Sequence, residues 1–173
     1  MKPFIYLASP YTRGDACINT HFQMKMFARF VKDGVVNAYI PLWSHFQHSA
    51  FPEPYQTWIQ YDLAIIPRLD GVIRLNADLP EFGHFVSESS GADGEAKFAA
   101  ENGLPVWYSL VELYQWAALR AAVLLTQAEA DRDGSMQSAV DVGNAREYLE
   151  VCEAALARGA MEADERMCVG LSK

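Results

Sequence analysis

Residues 87–95 of the chain read SESSGADGE. Serines, two glycines and three carboxylates stand there between an apolar run, GVIRL at 71–75, and a helix-like run, EAKFAAENG at 95–103. A glycine-broken loop opening onto a helix can turn backbone N–H groups and the positive end of the helix dipole toward an anion. Ser89 or Ser90 would add a hydroxyl donor, Gly91 would let the backbone come close, and Glu95 would sit in the first helical turn facing the same crevice. The same residues also suit a plain helix cap, because Ser90-x-x-Asp93 is a capping-box-like pattern and acids favour any first turn. On this stretch alone the two readings stand level.

Other residues could join such a site. YLASPYTRGD at 6–15 carries Tyr6, Ser9, Tyr11, Arg13 and Gly14 just past an apolar run. Arg13 is a natural fork for phosphate or carboxylate, although a lone arginine is also a common surface residue. Asp62 falls in a helical stretch and would be a general acid if that helix overhangs the pocket; a solvated helical aspartate is the plainer alternative. Asp70 stands where a strand begins, which suits a turn residue. His45 and His48 have the i, i+3 spacing of metal pairs, but no third ligand stands near them, so no metal is expected and one of them is better suited to hydrogen-bonding a substrate. His21 and His84 carry no signal. GxSxG, GxGxxG and GxxxxGK[ST] are all absent, which removes the usual support for serine hydrolases, dinucleotide oxidoreductases and P-loop enzymes.

The elements that must position these residues follow from hydrophobic pattern. FIYLA (4–8) reads as a buried strand ended by Ser9-Pro10, and 15–33 as an amphipathic helix with Asp15 at its start and Gly34 at its C-cap. VVNAYIPL (35–42) reads as a second strand and 43–55 as an aromatic-rich loop. A helix then runs through YQTWIQYDLAIIPRL, and DGVIRL (70–75) is the third strand. A helix carrying Ala96, Phe98, Ala99 and Ala100 ends at Asn102-Gly103, before LPVWYSL (104–110) as the fourth strand. Strands alternating with helices predict βαβ units and a parallel sheet. From about residue 111 two helical runs follow, broken at DRDGS, and the tail from Met161 is charged and expected to fray.

The 173 residues are 51% hydrophobic and 21% charged, enough for one cored domain with an appendage. A net charge of −8 argues against a nucleic-acid partner, which needs a basic face, but leaves room for a single nucleotide. Cys17, Cys152 and Cys168 are widely spaced and read as reduced thiols. The opening apolar run is too short for a signal peptide and no run approaches membrane-spanning length, so a soluble cytoplasmic protein is expected.

Taken together, YLASPY, DLAIIPRLDGVIRL and SSGADGEAKFAAENGLPV resemble, in order and spacing, the nucleoside 2-deoxyribosyltransferase-like superfamily over roughly residues 3–110. The Ser89-x-Gly91-x-x-x-Glu95 pattern looks more like its 2′-deoxynucleoside 5′-phosphate N-hydrolase branch, where a serine at this place contacts the 5′-phosphate. Transferases acting on free nucleosides more often carry an aspartate there. SPYTRG resembles the hydrolases' Ser-Ile-Arg-Gly loop with one extra residue.

The resemblance implies an α/β fold, flavodoxin- or Rossmann-like, with a parallel sheet covered by helices on both faces. Residues 1–126 would form that domain and 127–173 a helical C-terminal extension. It implies an N-glycosidase without a cofactor, in which Glu95 attacks or stabilises the sugar, Asp62 protonates the leaving base and Tyr6 orients Glu95. Ser89, the backbone near Gly91, and Arg13 would hold phosphate, while Ser9, Gly14 and His45 would contact substrate and Tyr11, Trp43 or Trp58 would stack on the base. A homo-oligomer, dimer or tetramer, is implied too, and the apolar positions Leu113, Trp116, Ala117, Leu119, Ala121, Val123 and Leu124 suit either an interface or a helix that simply covers the sheet. Transfer of the base, a modified pyrimidine nucleotide or a dinucleotide as substrate, and a nucleotide sensor without turnover are the alternatives.

Overall fold

The computed structural model describes residues 2–170, with side chains as far as Gly159. The Cys168 thiol and the end of the tail expected to fray, 171–173, lie outside the described residues. Two compact units are present: Pro3–Lys32 with Val36–Ser109, and Leu110–Lys173 with Met1–Lys2 and Asp33–Val35.

The first unit is α/β. Its four-stranded sheet is parallel, built from β1 (Phe4–Ala8), β2 (Asn37–Tyr39), β3 (Gly71–Arg74) and a two-residue β6 (Val106–Trp107), in the order β2-β1-β3-β6. Registers such as Tyr6↔Tyr39, Tyr6↔Val72 and Ile73↔Trp107 keep like faces together. Tyr6, Ala8 and Val72 share a core with Ile66, Leu69, Ala92 and Ala99, while Ile5, Leu7 and Ile73 point the other way and are equally buried. Burial on both faces explains why these strands read as unbroken apolar runs.

The helices are α1 (Ala16–Asp33), α2 (Ser44–Ala50), α3 (Tyr55–Ile65) and α4 (Ser90–Glu101). Asp15 starts α1, its Oδ1 accepting from the N–H groups of Cys17 at 2.8 Å and Ile18 at 3.0 Å. The apolar stripe Ile18, Phe22 and Met26 packs on a hairpin, β4 (Ala77–Leu79) with antiparallel β5 (His84–Val86), that turns at Gly83.

Three local expectations are corrected. The segment 43–55 is not all loop: a single turn at Pro41–Trp43 runs directly into α2, helped by the Ser44 hydroxyl donating to the Pro41 carbonyl at 2.8 Å. The cap of α4 is Ser89, whose Oγ accepts from the Ala92 N–H at 3.2 Å, so Ser90 is already helical. Glu95 therefore lies in the second turn of α4, not the first. The hairpin β4–β5 was not expected from the pattern.

The second unit is a helical hairpin, α5 (Leu110–Ala130) and α6 (Met136–Gly170). Leu113, Ala117 and Ala121 form its buried stripe on α5, with Cys152 and Ala155 buried on α6. Buried Asp33 accepts from the Tyr114 hydroxyl at 2.8 Å, and the Tyr148 hydroxyl donates to the Val35 carbonyl at 2.9 Å. No helix of the described residues is long and apolar enough to cross a membrane.

Candidate active site

In a parallel sheet whose chain leaves β1 in both directions, the crevice opens beyond the strand ends where the order reverses, here between β1 and β3. A cavity of about 330 Å³ lies there, in the first unit. Ser9, Tyr11 and Thr12 enter it from the end of β1; Pro41, Leu42 and Ser44 from the end of β2; Ser89, Gly91, Ala92 and Glu95 from the start of α4. Tyr55, Trp58, Ile59 and Asp62, spaced three and four apart, bring one face of α3 to it.

A buried amide ties the strand ends together. Gln23 of α1 donates through Nε2 to the Leu7 carbonyl at 3.0 Å and to Ser9 Oγ at 2.9 Å, while its Oε1 accepts from the Leu42 N–H at 3.0 Å. Asn19, also buried, donates to the carbonyls of Tyr11 at 2.8 Å and Arg13 at 2.6 Å, and pairs with His84 Nε2 at 2.7 Å. α1 thus holds the backbone of the β1 loop through Asn19. Gly91 lets α4 approach α3: a Cβ there would stand 2.9 Å from the Tyr55 hydroxyl oxygen.

The chemistry concentrates on Asp62 and Glu95, from facing helices. Glu95 is only 7% exposed. Burial, then the neighbouring Asp62 charge, pushes its carboxyl up to about 8, with Tyr6 and Arg74 pulling weakly the other way. Burial likewise pushes Asp62 up to about 7, opposed by Tyr6. The Glu95 shift includes the Asp62 charge, so the two carboxyls are coupled, and both keep their protons to a higher pH than ordinary carboxyls do. Tyr6 lies fully buried beside them, its phenol pushed well above its ordinary range by burial first and then by the charges of Glu95 and Asp62. By distance and angle its hydroxyl makes no hydrogen bond, so its interaction with the carboxyls is a longer-range one. Tyr39, whose ring stacks on Tyr6 at 5.7 Å, is pushed to about 12 by burial and by the Asp62 charge.

Of the residues singled out from sequence, Glu95, Asp62, Ser9, Tyr11, Trp58, Ser89 and Gly91 line one cavity, with Tyr6 beside its carboxyls. Arg13, Gly14, His45 and Trp43 are not in the lining. The Arg13 side chain is exposed. Gly14, at φ +74°, packs against the hairpin, where a Cβ would meet His84 at 2.8 Å and Val86 at 2.9 Å. His45 instead supports the site from behind, its Nδ1 2.8 Å from the Tyr11 hydroxyl. His48, on α2, lines the cavity with Glu53.

Arg74 was missed. At the end of β3 it is 7% exposed, and it donates from Nε to Asp93 at 2.8 Å and from its terminal nitrogens to the carbonyls of Leu75 and Ser87, each at 2.6 Å. It therefore braces the 87–93 loop from below. A charged residue closing the apolar run GVIRL was the available signal, because a buried arginine must be paired.

Among the described residues no three His, Cys, Asp or Glu side chains group as a metal ion would need. Comparison of the chain with protein-family models, with curated proteins and with solved structures gave no match.

Proposed function

We propose that the chain is an N-glycosidase that cleaves the base–sugar bond of a nucleoside 5′-monophosphate. The observation that carries this reading is the pair Glu95 and Asp62, presented by two helices to one cavity and both held above the ordinary carboxylate range by burial. N-glycoside cleavage needs one carboxylate and one carboxylic acid at once. Catalysis uses the form with the proton on Asp62, which is the minor one because Glu95 holds a proton more tightly. The ionised Glu95 oxygen bonds to C1′ as the C1′–N bond breaks, and the Asp62 proton goes to the leaving nitrogen. A water then gives a proton to Asp62 and its oxygen to C1′, freeing Glu95. The Tyr6 hydroxyl, long in the resting arrangement, is placed to tighten on whichever carboxyl carries charge.

Ser89 and the α4 N-terminus suit the phosphate, and Trp58 and Tyr55 offer aromatic faces to the base. The capping bond of Ser89 does not compete with this role, since a hydroxyl accepting from Ala92 still has its own proton to donate. Arg13, outside the cavity lining, is given no part. The strand order reversing between β1 and β3 supports a flavodoxin- or Rossmann-like fold with helices on both faces, and such folds bind ligands at that point. Exposed Leu119 and Val123 on α5 support a homo-oligomer, which a molar mass of one 19.3 kDa chain in light scattering would overturn.

The test is a panel of nucleosides and their 5′-monophosphates, ribo and deoxyribo, followed by chromatography for free base. Base is expected from monophosphates and not from nucleosides, and none from Glu95→Gln. Release that survives Glu95→Gln would overturn the assignment. Binding without release by the wild type would replace the enzyme with a sensor.

A further inference from the structure

His48 has a tautomer fixed by its neighbours. Its Nδ1 receives the Trp58 indole N–H at 3.0 Å and the Glu53 backbone N–H at 3.3 Å. Both groups can only donate, so Nδ1 must offer its lone pair and the ring proton must sit on Nε2. The Trp58 ring stands edge-on to the imidazole, 5.8 Å between centroids at 84°, which holds the ring plane as well. Among the described residues no group accepts from the Nε2–H, and His48 lines the cavity. Beside it in the lining stands Glu53, whose ionised carboxylate can only accept.

We infer that His48 and Glu53 read the base, selecting one with a lactam edge, a ring carbonyl next to a ring N–H. The inference rests on the proposed nucleotide reading and names its substrate class. His48 Nε2–H would donate to the carbonyl oxygen while the Glu53 carboxylate accepts the adjacent N–H. An amino base such as adenine or cytosine presents the reverse edge, setting an amine against the imidazole N–H and a ring-nitrogen lone pair against the carboxylate. Both contacts then become repulsive, so the pair discriminates by rejection as well as by attraction. The phosphate is not the partner for this edge, because the Glu53 carboxylate would repel it and the N–H groups at the α4 terminus serve it. Aromatic Trp58 and Tyr55 in the same lining suit a flat ring.

Inosine and adenosine 5′-monophosphates differ only at this edge, which makes them the probes. Their dissociation constants are measured by calorimetry on Glu95→Gln protein, in both ribo and deoxyribo forms, so that turnover does not intervene. Inosine monophosphate should bind about tenfold or more tighter, the scale of one well-placed pair of contacts at a half-exposed site. His48→Phe keeps a ring but has no N–H, and Glu53→Gln alters an exposed side chain with little bearing on folding; each should cut the preference to about twofold or less. Equal affinities in the parent protein, or a preference that survives both variants, would overturn the inference while leaving the nucleotide reading intact. Binding of neither compound would overturn the nucleotide reading itself, and this inference with it.

Discussion

A carboxyl held at about 8 in the folded protein against an ordinary 4.5 should make the protein less stable as pH rises, and Glu95 is the residue to test. The unfolded chain releases its proton first, so folding opposes ionisation of Glu95 throughout the interval between the two values. Stability attributable to this group is fully present below about pH 4.5 and is lost progressively up to about pH 8. Glu95→Gln mimics the protonated form and does not titrate. Relative to that variant, the wild type should lose about 4 kcal/mol between pH 5 and pH 9. Asp62 is present in both proteins, so most of its own titration cancels.

The assay is urea denaturation of both proteins at several pH values. With a slope of about 2 kcal/mol/M, the midpoints should nearly coincide at pH 5 and separate by about 2 M at pH 9, the variant being the more stable. A separation that does not change with pH would refute the reasoning, since it would mean that Glu95 ionises in the folded protein without penalty. A variant less stable than wild type at pH 9 would refute it more directly, by showing that the charged form is the favoured one. The expected gain also locates function: a residue whose removal stabilises the fold at working pH is kept for another reason.

Tyr6→Phe should raise both carboxyl pKa values, because the Tyr6 hydroxyl lowers each, and should change stability by no more than about 1 kcal/mol, because losing that interaction is offset by removing a buried hydroxyl that makes no hydrogen bond; carboxyl titration by NMR and urea midpoints read the two effects separately. Arg74→Met should destabilise by about 3 kcal/mol or more, since it strips Asp93 and two carbonyls of their donor, and should raise the Glu95 pKa further; an unchanged urea midpoint would contradict the bracing role. Gly91→Ala should weaken nucleotide binding about tenfold with little change in stability, because its Cβ meets only the movable end of Tyr55, 2.9 Å away at the cavity wall; calorimetry beside thermal melting distinguishes this from unfolding.

Much of the first unit was legible from pattern because its signals are local. FIYLA and GVIRL are unbroken apolar runs, as strands buried on both faces must be, and Asp15 stands where α1 needs an acceptor, whereas the cap of α4 falls one residue before the Ser90 that the pattern suggested. The hairpin β4–β5 escaped notice because its strands are three residues each, too short for a period to register. Segment 43–55 read as loop because its aromatics and histidines show no helical stripe, and α2 has no buried residue to create one. Arg13 drew attention as a phosphate ligand by residue type alone, but the loop carrying it is set by Asn19 from α1, a contact no spacing in the loop reveals.

The sequence by itself indicated the four strands of the main sheet, the helices α1, α3 and α4 between them and the candidacy of Glu95, since each signal lies within a few residues. Only the tertiary structure brought Asp62 of α3 against Glu95 of α4, put Tyr6 between the strands beneath them, and excluded water enough to raise both carboxyls toward neutrality. It alone also fixed the His48 tautomer, through an indole ten residues along the chain. The physical reason is the same in each case. Residue type specifies what a group can donate, accept or ionise, but the cost of ionising it and the partner it meets depend on burial and distance, which long-range packing decides.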